Sequence, residues 1–380
     1  MGIGVIDVQM WQTSKRLEEV IRQRIMNSQT GMIPFHEFMH LALYHPVCGY
    51  YMNENTKIGK TGDFYTVASL PVFAEMFTRY IVERHDAERL VIVEFGAGTG
   101  KIAKDILNTI QELVPEVYAN CRYELVETSP FHRAKQLEQL QEHQSHIEQF
   151  TPEQWFLNGT KKQVVLWSNE LFDAFPVDRI RAVDGIYEQA FVTWDQDAQK
   201  FNWFWKEPDE KLLQYLDRFF VYLKDYQIAD ISLSAVQFFK KIIEALEDSW
   251  MMHVDYGFET DEMFAPYRMV GSMRCFYQHT LSDDPFVRVG EQDITAHVHF
   301  SALMDIARDA NWKVEPLIKQ AEWLVEAGIL NQLQDDPSGD PTGPIARKNR
   351  MIRQMVLGDS MGETFRVFRA GQTSHPLRKT

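Results

Sequence analysis

Cysteine is scarce in this chain: only Cys48, Cys121 and Cys275 occur among 380 residues. They lie far apart and form no C-x-x-C pair, which excludes a disulfide framework and a metal knuckle and suits a reducing compartment. Nowhere do 18 apolar residues run together, so the sequence offers no membrane-spanning helix. Basic charge is short too, with 39 Lys and Arg against 54 Asp and Glu for a formal net charge of −15. That balance argues against a protein that wraps nucleic acid and favours the approach of a basic substrate or peptide. The opening MGIGVIDVQMWQTSKRLEEVIRQRI has no apolar h-region, and its Asp7, Glu18 and Glu19 are poor transit-peptide chemistry, so the expected location is cytoplasmic. What is left is an ordinary globular composition, 45% hydrophobic and 24% charged, long enough for one large core and a second lobe.

The chain is organised around VIVEFGAGTG, residues 91–100, which runs straight into KIAKDILNTI. Val91, Ile92 and Val93 predict a buried parallel strand, and Ile102, Ala103, Ile106, Leu107 and Ile110 recur at helical spacing. Gly96, Gly98 and Gly100 between them allow a tight turn and a close ligand approach, while the helix start offers unpaired N–H groups. Gly98 to Ala103 also satisfies the dinucleotide pattern G-x-G-x-x-G/A, so spacing alone does not choose the cofactor. Two acids do. Glu94 precedes the glycines, where a carboxylate opposes a pyrophosphate and suits a ligand bearing an ammonium and a sulfonium. Glu127 ends a second strand, YELVE, where it can accept hydrogen bonds from both hydroxyls of a ribose. The pattern E-x-G-x-G-x-G with a downstream acidic strand end resembles the class I S-adenosyl-L-methionine (SAM) methyltransferases.

Taken in order, residues 13–45 predict helices with Leu17, Val20, Ile21 and Ile25 on one face and Phe35, Phe38, Met39 and Leu43 on another, and Pro34 fits a first turn. His36 to His40 spells H-E-x-x-H, yet Leu43 and Pro46 stand where the longer zinc pattern wants Gly and His, so no metal site is expected. Gly62 and Asp63 lie in a polar loop ahead of the glycine strand, of the kind that folds over a site. Val164–Trp167 predicts the next parallel strand, with Asn169, Glu170 and Asp173 beyond its carboxyl end, beside the glycine turn. Were that segment helical, Glu170 and Asp173 would share a face and act as a pair, or serve with a Ser168 or Asn169 cap as first-turn acids. Residues 179–206 alternate apolar and polar side chains and break at Asp184-Gly185, a hairpin signal, and helices are expected over 210–226 and 234–249. Trp194, Trp203 and Trp205 suit hairpin packing. Trp250–Asp255 returns as a core strand ending at Asp255, and Phe365–Phe368 suits a closing strand. His297 and His299 share a strand face but lack a matching cluster, so packing or hydrogen bonding is expected of them.

PFHEFMHLALYHPVCGYY, GKTGDFYT, VEFGAGTGKIAKDIL, YELVETSP and NELFDAFPV, followed by HVDYGF, GEQDITAHVHFSAL, KQAEWLVEAGI and MGETFRVF, resemble the MidA family of SAM-dependent methyltransferases, which includes the mitochondrial complex I arginine methyltransferase. The resemblance spans roughly residues 33–370, and departs at YTVASLPVF. It implies an α/β fold: a class I methyltransferase Rossmann-like sheet with a helical N-terminal extension over 1–85, core segments at 86–177 and 251–380, and a substrate-selecting β-hairpin and helical insertion at 178–250. It implies SAM as cofactor and, as substrate, a protein with an accessible arginine, with neither nucleic acid nor membrane as partner. The expected cofactor residues are Glu94, Gly96, Gly98, Gly100, Glu127, Asn169, Gly62 and Asp63, and the expected catalytic acids Glu170, Asp173 and Asp255. A guanidinium presents five donors and no lone pair aimed at a methyl, so carboxylates must grip its edges and relieve it of a proton. Methylation of a small oxygen or nitrogen nucleophile needs one base instead, and a SAM-binding assembly factor would need only a partner-gripping surface.

Overall fold

The computed structural model describes residues 3–53, 71–84, 90–278, 280–337, 340–357 and 361–372. The chain divides into two compact units, one of residues 66–171, 240–257 and 304–380, the other of 1–65, 172–239 and 258–303.

The first unit is built on a mostly parallel sheet. Its strands run in the order Lys313–Val314, Phe365–Gly371, Trp250–Phe258, Val164–Asn169, Val91–Phe95, Arg122–Val126 and Ile147–Phe150. The last five are mutually parallel, while Phe365–Gly371 runs antiparallel to Trp250–Phe258 and to its other neighbour. Val91–Phe95 therefore lies at the point where strand order reverses, and ligands of such sheets bind beyond the strand ends there. Ile92 pairs with Tyr123 and Val165, and Glu94 with Leu125 and Trp167, so these side chains share one face. Helices Pro71–Arg84 and Lys101–Leu113 bring Phe73, Phe77, Ala103, Ile106, Leu107 and Ile110 into the same cluster. Phe77 sits 4.9 Å from Trp167 and Phe73 5.4 Å from Trp323, ring to ring. Each such fully buried aromatic contributes about 1.5–3 kcal/mol of transfer free energy, which makes this the rigid part of the unit.

In the second unit, Met32–Pro34, Ile186–Asp195, Asp178–Val183 and Ile228–Ile231 form an antiparallel sheet, with Lys200–Lys206 paired to Ile186–Asp195. The hairpin expected at Asp184-Gly185 forms with φ of +50° and +76°, both left-handed as a two-residue turn requires. The tryptophans of this sheet pack as ring neighbours: Trp203 lies 4.8 Å from Phe35 and 4.7 Å from Phe286, and Trp194 4.9 Å from Phe201, while Trp205 lies 4.2 Å from the Arg181 guanidinium. Helix Ile3–Met26 starts ten residues earlier than periodicity alone indicates and buries Leu17, Ile21 and Ile25. Helix Phe35–Tyr44 takes Pro34 as its N-cap rather than within its first turn.

Two further helices are shorter than expected. The first runs only Glu210–Arg218, because Phe220 adopts φ +52° and turns the chain out of the helix. The other runs Leu233–Ala245 and gives way to a short strand, Leu246–Glu247. His299 hydrogen-bonds Tyr215 at 2.6 Å and Thr260 at 2.9 Å, a packed and satisfied ring. Among the described residues no group of three or more His, Cys, Asp or Glu could hold a metal ion, and no helix is long and apolar enough to cross a membrane.

Candidate active site

Strand Val91–Phe95 delivers the chain into three glycines, all left-handed: Gly96 at φ +71°, Gly98 at +50° and Gly100 at +79°. Their reasons differ. A Cβ on Gly98 would meet only the Gly96 carbonyl, at 4.0 Å, so its outer side is open space. A Cβ on Gly100 would strike Leu140 Cδ1 at 3.0 Å and Gln136 Cγ at 3.1 Å, so Gly100 serves packing. Gly100 also caps helix Lys101–Leu113 without a side chain, leaving the first-turn N–H groups to other acceptors.

The acids fold back on this loop. Glu127 Oε2 accepts the Gly98 N–H at 2.9 Å, its Oε1 accepts the Ser129 N–H at 2.8 Å, and Gln136 Nε2 donates to the Gly98 carbonyl at 2.7 Å. Both peptide groups of Gly98 are thereby fixed, and the Gly96 N–H bonds the Val126 carbonyl at 2.9 Å to tie the two strand tips together. Glu94 is only 2% exposed. The Tyr123 hydroxyl donates to its Oε2 at 2.8 Å and accepts from Trp167 Nε1–H at 3.0 Å. Burial pushes the Glu94 carboxyl up to about 8, with the nearby Glu127 charge adding and the Tyr123 hydrogen bond opposing. Glu94 therefore holds its proton well above the usual carboxyl range. Neither Tyr123 nor Trp167 stood out in the sequence; the only signal is that strand register puts both on the face that carries Glu94.

At the tip of Val164–Asn169 the chain makes a corner rather than a helix. Glu170 adopts φ +50°, uncommon for a residue with a Cβ, so the helical pairing of Glu170 with Asp173 and the Ser168 or Asn169 cap do not form. Ser168 is instead fully buried, its Oγ 2.7 Å from His253 Nδ1. Hydrogen bonds hold the corner: the Glu170 N–H to the Val254 carbonyl at 2.9 Å, and Asn169 Nδ2 to Glu170 Oε1 at 3.0 Å. Asp255, fully buried, accepts the Leu171 N–H on Oδ2 at 3.1 Å and the Tyr256 N–H on Oδ1 at 2.8 Å. Glu94, Gly96, Gly98, Gly100, Glu127, Asn169, Glu170 and Asp255 thus all belong to one unit, at neighbouring strand ends. Asp173 is buried in the other unit, where its carbonyl accepts the Ala296 N–H at 2.9 Å. Gly62 and Asp63 lie outside the described residues.

A model of S-adenosyl-L-methionine-dependent methyltransferases matches residues 73–318. The chain belongs to that family. The mitochondrial protein arginine methyltransferase NDUFAF7 homolog of Drosophila melanogaster is 27% identical over 327 residues, 77% of this chain and 70% of that protein. Its mitochondrial counterpart from Danio rerio is 24% identical over 364 residues, 89% and 83% of the two chains. A crystal structure of a COG1565 superfamily member from Burkholderia thailandensis, bound to S-adenosyl-homocysteine, superposes with a TM-score of 0.85 at 27% identity, covering 96% of this chain and 94% of that one.

The fold is thus that of a class I methyltransferase and the cofactor is SAM. The residues of the site fit it. Gly98 leaves room for a close approach, and Glu127 stands at the tip of the second strand, where a carboxylate suits ribose hydroxyls and opposes a pyrophosphate. The cytoplasmic expectation does not stand, since the curated relatives are mitochondrial proteins. Three lone thiols separate reducing from oxidising surroundings, and do not separate one reducing compartment from another.

Proposed function

We propose that this methyltransferase acts on an arginine side chain of a protein substrate, with Glu170 accepting one edge of the guanidinium. The half-buried Glu170 carboxylate, set on a left-handed corner and held by Asn169, is the observation that carries the reading. The names of the relatives, both protein arginine methyltransferases, and the net charge of −15 support it further. When bound, the cofactor supplies an electrophilic methyl on a sulfonium. The protein's part is to hold and to deprotonate. In this reading Gly96, Gly98, Glu127, Glu94 and Asn169 hold the cofactor, while Gly100 keeps the loop packed. Glu170 concentrates electron density on the attacking nitrogen and receives its proton as the new bond forms. Asp255 acts through the backbone, pinning Leu171 and so the corner that aims Glu170.

Mass spectrometry of arginyl peptides incubated with enzyme and cofactor tests the proposal. Methylarginine is expected from the unaltered protein, and Glu170→Gln should lose about 10²–10⁴-fold in rate while still binding SAM. Full transfer by that variant removes Glu170 from the chemistry, and transfer only to small nucleophiles removes arginine.

A further inference from the structure

The H-E-x-x-H helix borders a cavity of about 710 Å³ that lies within the unit of residues 1–65, 172–239 and 258–303. It forms among the starts of helices Phe35–Tyr44, Glu210–Arg218 and Leu233–Ala245, with Pro34, Phe191, Leu212 and Leu233 on its apolar walls. That size accommodates a small organic molecule. Its polar side is organised by a chain of hydrogen bonds. Asp178 Oδ1 lies 2.7 Å from His36 Nδ1 and accepts Gln189 Nε2–H at 2.7 Å, and Gln189 Oε1 accepts the Asp209 N–H at 2.9 Å. Asp178 and Gln189 are 4% and 2% exposed, whereas the His36 side chain is 47% exposed. A carboxylate only accepts, so Nδ1 carries the proton and Nε2, on the ring's far edge, points away from Asp178.

Charge at the cavity follows the same plan. Lys206 and Lys211 line it, the first with its Nζ 4.3 Å from the Phe191 ring centroid. Of the three carboxylates there, Asp178 is bonded to His36, and Asp209 accepts the Lys211 N–H at 2.8 Å as a helix cap; Glu207 is exposed. Helix Phe35–Tyr44 has no side-chain cap, which leaves its first-turn N–H groups to other acceptors. A zinc ion does not fit: Glu37 is engaged by Arg24 Nε at 2.5 Å, and the two lysines oppose a dication. In a protein of net charge −15, the imidazole and two lysines match the three carboxylates in number, so the wall is close to neutral where the molecule as a whole is acidic.

We propose that this cavity binds a small carboxylate or phosphate anion through His36, Lys206 and Lys211, with Asp178 and Gln189 as positioning residues. Burial opposes a charge on His36, but the hydrogen bond and charge of Asp178, with Glu37 and Asp209, outweigh it and raise its pKa above the usual histidine value. Burial and the charge of His36 lower His40. The anion therefore meets a His36 that keeps its proton to higher pH than a free imidazole and a His40 that gives its proton up sooner.

The full chain is titrated by calorimetry with succinate and with inorganic phosphate, at about pH 6 and about pH 8.5, on either side of the histidine range. Saturable binding of at least one probe is expected at the lower pH. It should weaken about tenfold at the higher pH and in His36→Gln and Lys211→Ala, and Asp178→Asn should move the pH midpoint down. Succinate alone marks a carboxylate source and phosphate alone a phosphate source. No saturable binding of either overturns the proposal, as does wild-type affinity in His36→Gln. If His36→Gln shows no cooperative thermal melt, and so does not fold, the exposed Lys211→Ala decides in its place, with unaltered affinity overturning the proposal.

Discussion

Glu94 shows how burial can set the chemistry of a single carboxyl. Its pKa near 8 means that the folded protein keeps a proton the unfolded chain releases near the ordinary value of 4.5. The favourable contribution is complete below pH 4.5 and is lost as pH rises through about 8. Ligand-free stability should therefore fall across that window, by at most about 1.4 kcal/mol per pH step, and Glu94→Gln should flatten the slope. Denaturant melts at several pH values measure this. A cationic ligand beside Glu94 favours its ionised form, so cofactor binding near pH 7 is expected to release a proton. Calorimetry in buffers of different ionisation enthalpy reads that release, and its absence would detach Glu94 from the cofactor's ammonium.

The glycines make a paired prediction. Gly98→Ala places its Cβ in open space at φ +50°, so it should lose about 1–2 kcal/mol of stability but most of its SAM affinity. Gly100→Ala adds a clash with Leu140 and Gln136 to a φ of +79°, and should be the less stable variant by thermal melting. The sequence marks all three glycines alike. Only the packing of Gln136 and Leu140 separates the one that faces a ligand from the one that faces the core.

Among the elements, the corner after Val164–Asn169 has the largest gap between sequence and structure. Ser-Asn-Glu-Leu-Phe-Asp carries every mark of a helix start, yet bonds from Val254 and Asp255, some 85 residues on, dictate the backbone. Local propensity cannot register such partners. Conversely, the Asp184-Gly185 hairpin was legible because its requirement, two left-handed residues in succession, is met locally by the residues themselves. The corner also stores strain. Glu170→Gly relieves φ +50° and is expected to hold or raise stability by up to about 1 kcal/mol while abolishing transfer, which a melt and a methylation assay on one sample can check. Asp255→Asn keeps one acceptor and turns an amide toward a backbone N–H, so it should destabilise by about 1–3 kcal/mol.

For the whole molecule, alternating strand and helix signals around one glycine loop were enough to give the α/β class, because a parallel sheet covered on both faces leaves near-continuous apolar runs. Short strands such as Lys313–Val314 and Ile318–Lys319 were not legible, being two residues each and defined only by pairing with Phe365–Gly371. Compartment was not legible either, since nothing in the fold depends on it. The excess of acids has a kinetic consequence: with a basic peptide, kcat/KM should fall several-fold as salt rises from roughly 0.05 to 0.5 M, while SAM affinity changes little.

Phe365–Gly371 is flanked on both sides by strands made earlier, one beginning at Trp250 and the other at Lys313. A ribosome must therefore pass Gly371, more than a hundred residues on, before the Trp250 strand gains its antiparallel neighbour. Between those two points the nascent chain carries an open β edge, a natural client for holdases. A stop codon ahead of Phe365 should yield aggregate rather than a shorter enzyme.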